Sequence, residues 1–216
     1  MSITIVLENT SHPGNIGAAA RAMYTMGFSQ LILINPCDIT EESYTRARLG
    51  RQIIENAQIA ESIDCLTPFH QIYGTTCRQR SLHLPVMSSR GLSGQISHTS
   101  ESHTAILFGN ETNGLSNEML SVCQAIIEIP THQSSSLNLS HAIQLICYEL
   151  SGIEPLPYQQ DLSPLENRLK FLQQVQKKYE DSGVLLPHTL DRLKIILNKA
   201  KLTEDELKLL YSFFIQ

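Results

Sequence analysis

Three short segments hold the side chains that could do chemistry. Residues 11–23, SHPGNIGAAARAM, set one arginine, Arg21, among glycines and alanines, the surroundings of a buried residue. Residues 108–116, FGNETNGLS, carry one charge, Glu111, between Gly109 and Gly114. Those glycines let main-chain groups line a ligand. Residues 134–150, SSSLNLSHAIQLICYEL, crowd three serines and Asn138 at the start of an apolar helix, more hydroxyls than one cap requires. A guanidinium binds phosphate and stabilises developing negative charge. Each segment also has a plainer reading. Gly14-Asn15-Ile16-Gly17 fits a phosphate-cradling loop, and equally a tight strand-to-helix turn with Asn15 as N-cap. Asn113-Gly114 fits a turn leading to Ser116 as a helix cap, which leaves Glu111 unexplained. Residues 134–150 fit a capped amphipathic helix.

Each segment follows an apolar run. Runs at 3–7, 31–35, 72–75, 104–108 and 125–129 are rich in Ile, Leu and Val with little polar alternation. That pattern predicts strands buried on both faces of a parallel sheet. Helices are expected from near Asn15 to a stop at Gly27, then over 42–49, 117–123 and 138–150. In the first, Ile16, Ala19, Ala20 and Met23 form a core stripe. Ala18, Arg21, Ala22 and Thr25 form a second face, open to close approach. The alternation predicts an α/β fold, whose ligands sit beyond the carboxyl ends of the strands.

The expected domain spans 1–153. A proline-bearing linker, 154–163, leads to a helical extension, 164–216. There Ser163-Pro164 reads as a cap with proline at the first helical position. Leu165, Leu169, Leu172 and Tyr179 then repeat at helical spacing, Leu190, Leu193 and Leu197 mark a second helix, and Thr203–Glu206 is a capping box for a third. So short a tail is expected to pack on the main domain or on a partner.

Composition narrows the function classes. Net charge is −5 with 17% charged residues, not the footprint of a general nucleic-acid binder. Yet the seven cations of residues 1–163 are all arginine, Arg21, Arg46, Arg48, Arg51, Arg78, Arg80 and Arg90, the side chain best shaped for phosphate. The tail is slightly basic, nine cations against seven acids. Five scattered cysteines without a CxxC predict reduced thiols in a cytoplasm. Among eight histidines, the nearest pair, His98 and His103, lies in polar loop, and no metal is expected. No secretory signal or membrane span is expected. A dinucleotide oxidoreductase is disfavoured, because G-x-G-x-x-G is missing and Asp38 alone carries little weight. A KH domain has GXXG between two helices, whereas here it follows a strand.

Taken in order, NIGAAAR, GNETNGLS and SLNLSHA resemble motifs one, two and three of the SPOUT-class (TrmH-like) RNA 2′-O-ribose methyltransferases. The resemblance covers residues 1–150 with strong motifs and the tail weakly. Gly74-Thr75-Thr76-Cys77-Arg78 and the helical tail point to the tRNA (cytidine/uridine-2′-O)-methyltransferase branch. The resemblance implies an α/β fold, mostly parallel, whose C-terminal segment forms a trefoil knot, in a cytoplasmic homodimer with its small-residue first helix at the contact. It implies S-adenosyl-L-methionine as cofactor, held by Thr75, Thr76, Cys77, Gly109, Ile129, Ser135, Ser136 and Leu137. It implies catalytic roles for Arg21, Asn15, Glu111, Ser136 and Asn138, with Glu111 anchoring Arg21 or the local backbone. Its expected substrate is tRNA, at the ribose of nucleotide 32 in the anticodon loop. The alternatives are another position in tRNA or ribosomal RNA, and a non-catalytic RNA-binding module of the same fold.

Overall fold

Continuous apolar runs build a sheet covered on both faces. The computed structural model describes residues 2–76, 84–96, 103–132, 137–152, 162–179 and 187–215. Its strands are β1 (Ser2–Glu8), β2 (Gln30–Ile34), β3 (Gln58–Ala60), β4 (Gln71–Thr75), β5 (Val86–Ser88), β6 (His103–Phe108) and β7 (Ala125–Glu128). They form one seven-stranded sheet in the order β3-β2-β1-β6-β4-β7-β5, with every pairing parallel. The α/β expectation holds, and all five expected strands are present. The two that the apolar runs did not announce, β3 and β5, are three-residue edge strands with half-exposed or exposed residues. They lack the two-sided burial that writes a strand into a sequence.

Successive residues of each strand point to opposite faces. Ile5, Leu33, Ile106 and Ile127 join one core, with α1 (Pro13–Thr25), α3 (Arg51–Glu55) and α5 (Leu139–Ser151). Val6, Ile32, Leu107 and Ile126 join the other, with α4 (Asn117–Ser121) and Leu165 of α6 (Leu165–Tyr179).

The GNIG segment is not a phosphate loop. Gly14 and Gly17 lie inside α1, and the N-cap is His12, whose Nδ1 accepts from the Gly14 amide at 3.1 Å. Asn15 is therefore in the first turn rather than the cap, because Pro13 already sits at a position where a missing amide proton costs nothing. The glycines serve helix crossing. A Cβ on Gly17 would stand 2.1 Å from the Ser43 carbonyl oxygen of α2 (Glu41–Ala47). A Cβ on Gly50, in the turn Arg48–Gly50, would stand 2.6 Å from the Ala20 carbonyl oxygen. Much of the small-residue run thus answers to neighbours within the chain. Gly27 ends α1 at φ 79°, as its position suggests.

The tail packs on the main body. Helices α6, α7 (Pro187–Lys199) and α8 (Glu204–Phe214) share a small core of Phe171, Val175, Leu197 and Leu207. Buried Arg168 donates from Nε to Asn198 Oδ1 at 3.0 Å and from Nη1 to the His70 carbonyl at 3.3 Å. Burial lowers its pKa to about 10. The capping box of Thr203 and Glu206 is present. Ser163 does not cap α6, since its hydroxyl is buried without a partner. The first free amides of that helix, Leu165 and Glu166, donate instead to the Phe69 and Thr67 carbonyls at 2.9 Å each, so the sheet-side chain does the capping.

Candidate functional site

Strand order reverses where β1 and β4 flank β6, and the loops beyond these carboxyl ends diverge to leave a crevice. A cavity of about 440 Å³ opens there, in the usual range for small-ligand sites. Its walls are apolar at Phe108, Ile127, Ile129, Leu137, Leu139 and Ala142, and polar at Asn15, Thr75, Thr76, Asn110, Thr112, Thr131 and Asn138. Glu111 is the one ionisable side chain in the described lining, and no cation is among it.

The loop after β6 is built by its own polar groups. Asn110 Oδ1 accepts from the Thr112 amide at 2.8 Å and the Asn113 amide at 3.2 Å, and the Gly114 amide closes the turn on the Asn110 carbonyl at 2.8 Å. Gly114 has φ 70°, which favours glycine. Gly109 must be glycine for a different reason. A Cβ there would lie 2.0 Å from both the Gly114 carbonyl carbon and the Leu115 nitrogen. Beyond the turn, the Ser116 amide donates to buried Glu8 Oε2 at 2.8 Å, and Ser116 Oγ caps α4.

Glu111 ties this loop to α1. Its Oε1 accepts from Asn15 Nδ2 at 2.7 Å, and its Oε2 accepts from Ser11 Oγ at 2.8 Å and the Ser11 amide at 3.2 Å. Partial burial raises its pKa, but the bonds from Asn15, from its own main-chain amide and from Ser11 together outweigh it and hold the carboxyl below its ordinary value. Glu111 makes no ion pair with Arg21 among the described residues; its partners are the side chains of Asn15 and Ser11 and the Ser11 main-chain amide.

Arg21 itself is exposed, not buried. The faces of α1 turned to the body are occupied by Ile16, Ala19, Ala20 and Met23. Arg21 makes no ion pair among the described residues, and it lines a second concavity with Ala18, Ala22, Thr45, Arg46 and Arg48. It lies six residues beyond Asn15, roughly 9 Å along the helix axis.

Of the expected cofactor residues, Thr75, Thr76, Gly109, Ile129 and Leu137 all line the cavity. Thr75 Oγ1 donates to the Leu107 carbonyl at 2.9 Å, fixing the end of β4 against β6. Asn138, also in the lining, is the N-cap of α5, with Oδ1 accepting from Ser140 N at 3.0 Å and Oγ at 2.8 Å. Cys77, Ser135 and Ser136 lie outside the described residues. Sequence reasoning missed Asn110, Thr112 and Thr131. The Asn-x-Thr-Asn-Gly spacing could have revealed Asn110 as an Asx turn, whereas nothing near Thr131 marked it. Burial raises the Cys147 thiol to about 12 and raises Cys123 as well, so neither serves as a nucleophile. Among the described residues no group of three or more His, Cys, Asp or Glu could hold a metal, and no helix is long and apolar enough to cross a membrane.

The lining suits a bent adenosyl cofactor. Apolar walls accept a purine, and main-chain and hydroxyl groups accept a ribose.

A parallel α/β sheet with such a cavity beyond β4, β6 and β7 defines a nucleotide-type cofactor protein. The sequence profile of the SpoU rRNA Methylase family matches residues 2–148. The chain belongs to that family of methyltransferases. It is 32% identical to the tRNA (cytidine/uridine-2′-O-)-methyltransferase TrmJ of Sodalis glossinidius, over 97% of this chain and 88% of the relative. The crystal structure of TrmJ from Zymomonas mobilis ("Z. mobilis ZM4") superposes with TM-score 0.86 at 25% identity, covering 99% of this chain and 98% of that one. The SpoU methyltransferase AviRb of Streptomyces viridochromogenes, solved in complex with AdoMet, matches with TM-score 0.53 at 26% identity, over 69% of this chain and 59% of that one.

Proposed function

We propose that this chain transfers a methyl group from S-adenosylmethionine to a ribose 2′-hydroxyl of tRNA, at cytidine or uridine 32 of the anticodon loop. One observation carries the reading: residues from all three chemical segments line one cavity, Asn15 from the first, Gly109 and Glu111 from the second, Leu137 and Asn138 from the third. The names of the TrmJ relatives support the tRNA substrate.

Bound S-adenosylmethionine supplies an already activated methyl electrophile, so the transfer calls for no metal. Thr75, Thr76, Gly109, Ile129 and Leu137 of the lining would hold it, with Cys77, Ser135 and Ser136 as the further residues the motifs imply. Asn15 and Asn138 would place the ribose, and Ser136, by its match to motif three, would act around the methyl donor and hydroxyl. Glu111 keeps Asn15 in place. Arg21, which lines the neighbouring concavity rather than the cofactor cavity, would bind the adjacent phosphate and steady the negative charge that develops on the 2′-oxygen as it takes the methyl group, the cofactor leaving as its thioether and the hydroxyl proton passing to solvent. A guanidinium stays protonated in proteins, so Arg21 is not the base. A looped nucleotide can turn its ribose into the cavity, which a duplex would resist.

Residues 1–153 form the methyltransferase domain with its trefoil knot, 154–163 the linker and 164–216 the helical extension. The enzyme works in the cytoplasm as a homodimer. Exposed Leu145 and Tyr148 on α5, beside the Ala18–Ala22 face of α1, support such a contact. The test is mass spectrometry of position-mapped 2′-O-methylated nucleosides in RNA from cells with and without the gene. Loss at tRNA position 32 is expected. Loss in ribosomal RNA alone overturns the tRNA assignment, and no loss in any RNA overturns the transfer.

A further inference from the structure

Strand β1 ends on a residue that its own pattern does not call for. SITIVLE is buried from Ile3 onwards, and a strand covered on both faces is expected to be apolar. Yet Glu8, 5% exposed, closes it on the same face as Val6, the face that packs against α4. It makes no ion pair among the described residues. Its charge adds to burial in raising the Cys123 thiol, just beyond α4. A buried carboxylate without a cation is destabilising unless its oxygens are hydrogen-bonded.

One such bond is made, and its place is informative. Glu8 Oε2 accepts from the Ser116 amide at 2.8 Å. Ser116 is the N-cap of α4, with Oγ accepting from the Met119 amide at 3.1 Å. In a capping box, a Glu or Gln at the third helical position accepts from the amide of the cap residue. At α8 this is done locally, by Glu206 on the Thr203 amide at 2.8 Å. At α4 the third position is Met119, and Glu8 supplies the missing acceptor from 108 residues away.

The tie reaches the cofactor cavity in one step. Gly109 and Gly114 both line it. A Cβ on Gly109 would stand 2.0 Å from the Gly114 carbonyl carbon and the Leu115 nitrogen, so residues 114–115 rest directly on that wall, and Ser116 is next in the chain. At the other end of the loop, Asn110 Nδ2 donates to the Asn9 carbonyl at 2.7 Å, so the end of β1 grips both ends. Resting on the methyltransferase reading, we propose that Glu8 is a positioning residue for the cofactor: by holding the Ser116 amide it keeps residues 114–115 against Gly109 and sets the wall that S-adenosylmethionine meets. Glu8 lies outside the described lining and acts only through the loop.

The test compares the wild-type chain with Glu8→Gln and Glu8→Met. Glutamine keeps an acceptor for the Ser116 amide without the charge; methionine keeps the length and removes the acceptor. S-adenosylhomocysteine binding, thermal melting without ligand and hydrogen exchange over residues 110–121 are measured. Glu8→Met is expected to bind S-adenosylhomocysteine about tenfold more weakly and Glu8→Gln about two- to threefold, because a charged acceptor makes the stronger bond. Exchange should quicken in the same order. Melting of Glu8→Met should stay within about 3 °C of wild type, since removing a buried charge offsets the lost bond. In tRNA methylation the loss should appear in KM for S-adenosylmethionine and leave kcat near wild type. Wild-type S-adenosylhomocysteine affinity in Glu8→Met overturns the proposal. So does an equal loss in both variants, or a loss that follows a fall in melting temperature. If the wild-type chain itself binds no S-adenosylhomocysteine, the methyltransferase reading fails, and the graded exchange alone decides whether Glu8 holds the loop.

Discussion

Replacing Glu111 by glutamine tests whether this carboxylate is the tie between the β6 loop and α1. The carboxylate accepts three hydrogen bonds, from Asn15 Nδ2, Ser11 Oγ and the Ser11 amide. Glutamine keeps one acceptor and turns an amide donor towards groups that are themselves donors. Bonds to a charged group contribute about 1.5–3 kcal/mol each when buried. Here Ser11 is exposed and Glu111 only partly buried, so solvent screening discounts them heavily. A net loss of about 2 kcal/mol follows, or about 4–8 °C in Tm for a chain of this size. The pH dependence has a definite sign. The folded pKa is depressed, so the stabilisation is complete above the pKa of the unfolded chain and is lost as pH falls through the lower folded value. Thermal melts of both proteins from neutral to acid pH should show a gap that closes in and below the ordinary carboxylate range. S-adenosylhomocysteine titration should show weaker binding of the variant at neutral pH, as the loop loses its tie. A gap that is absent at neutral pH, or that persists undiminished into acid, would refute the bracket.

Other perturbations separate the remaining parts of the site. Arg21→Ala should lower the single-turnover methylation rate of tRNA about a hundredfold or more, with S-adenosylhomocysteine affinity within a few-fold; turnover near wild type removes Arg21 from the chemistry. Gly109→Ala should abolish detectable S-adenosylhomocysteine binding by calorimetry, because even a methyl group meets the Gly114–Leu115 main chain; wild-type affinity would show that this close approach does not shape the cavity. Leu165→Ala, at a position 1% exposed in the sheet's own core, should cost about 2–4 kcal/mol by urea denaturation, whereas a tail that packs only on itself would leave the main transition unmoved.

The sequence by itself determined the parallel sheet, because strands buried on both faces must be apolar throughout, as 3–7, 31–35 and 104–108 are. It also determined the local devices whose physics lies within a few residues: the Gly27 stop, the turn at Gly114, and the caps at Ser116 and Thr203. Tertiary structure decided what depends on chain segments far apart. The glycines of GNIG look like a phosphate loop until α2 crosses them, since only packing shows that Gly17 faces the Ser43 carbonyl. Arg21 looks buried among alanines until the body claims the neighbouring faces of α1 and leaves it outside. Ser163 looks like a cap until the carbonyls of Thr67 and Phe69, about a hundred residues away, take the same amides. Glu111, unexplained in its own loop, acquires its partners only when β1 and β6 pair and bring residues 11 and 15 alongside it. Local patterns record what a residue needs from its neighbours in sequence. Which distant group meets that need is settled by the packing of the whole chain.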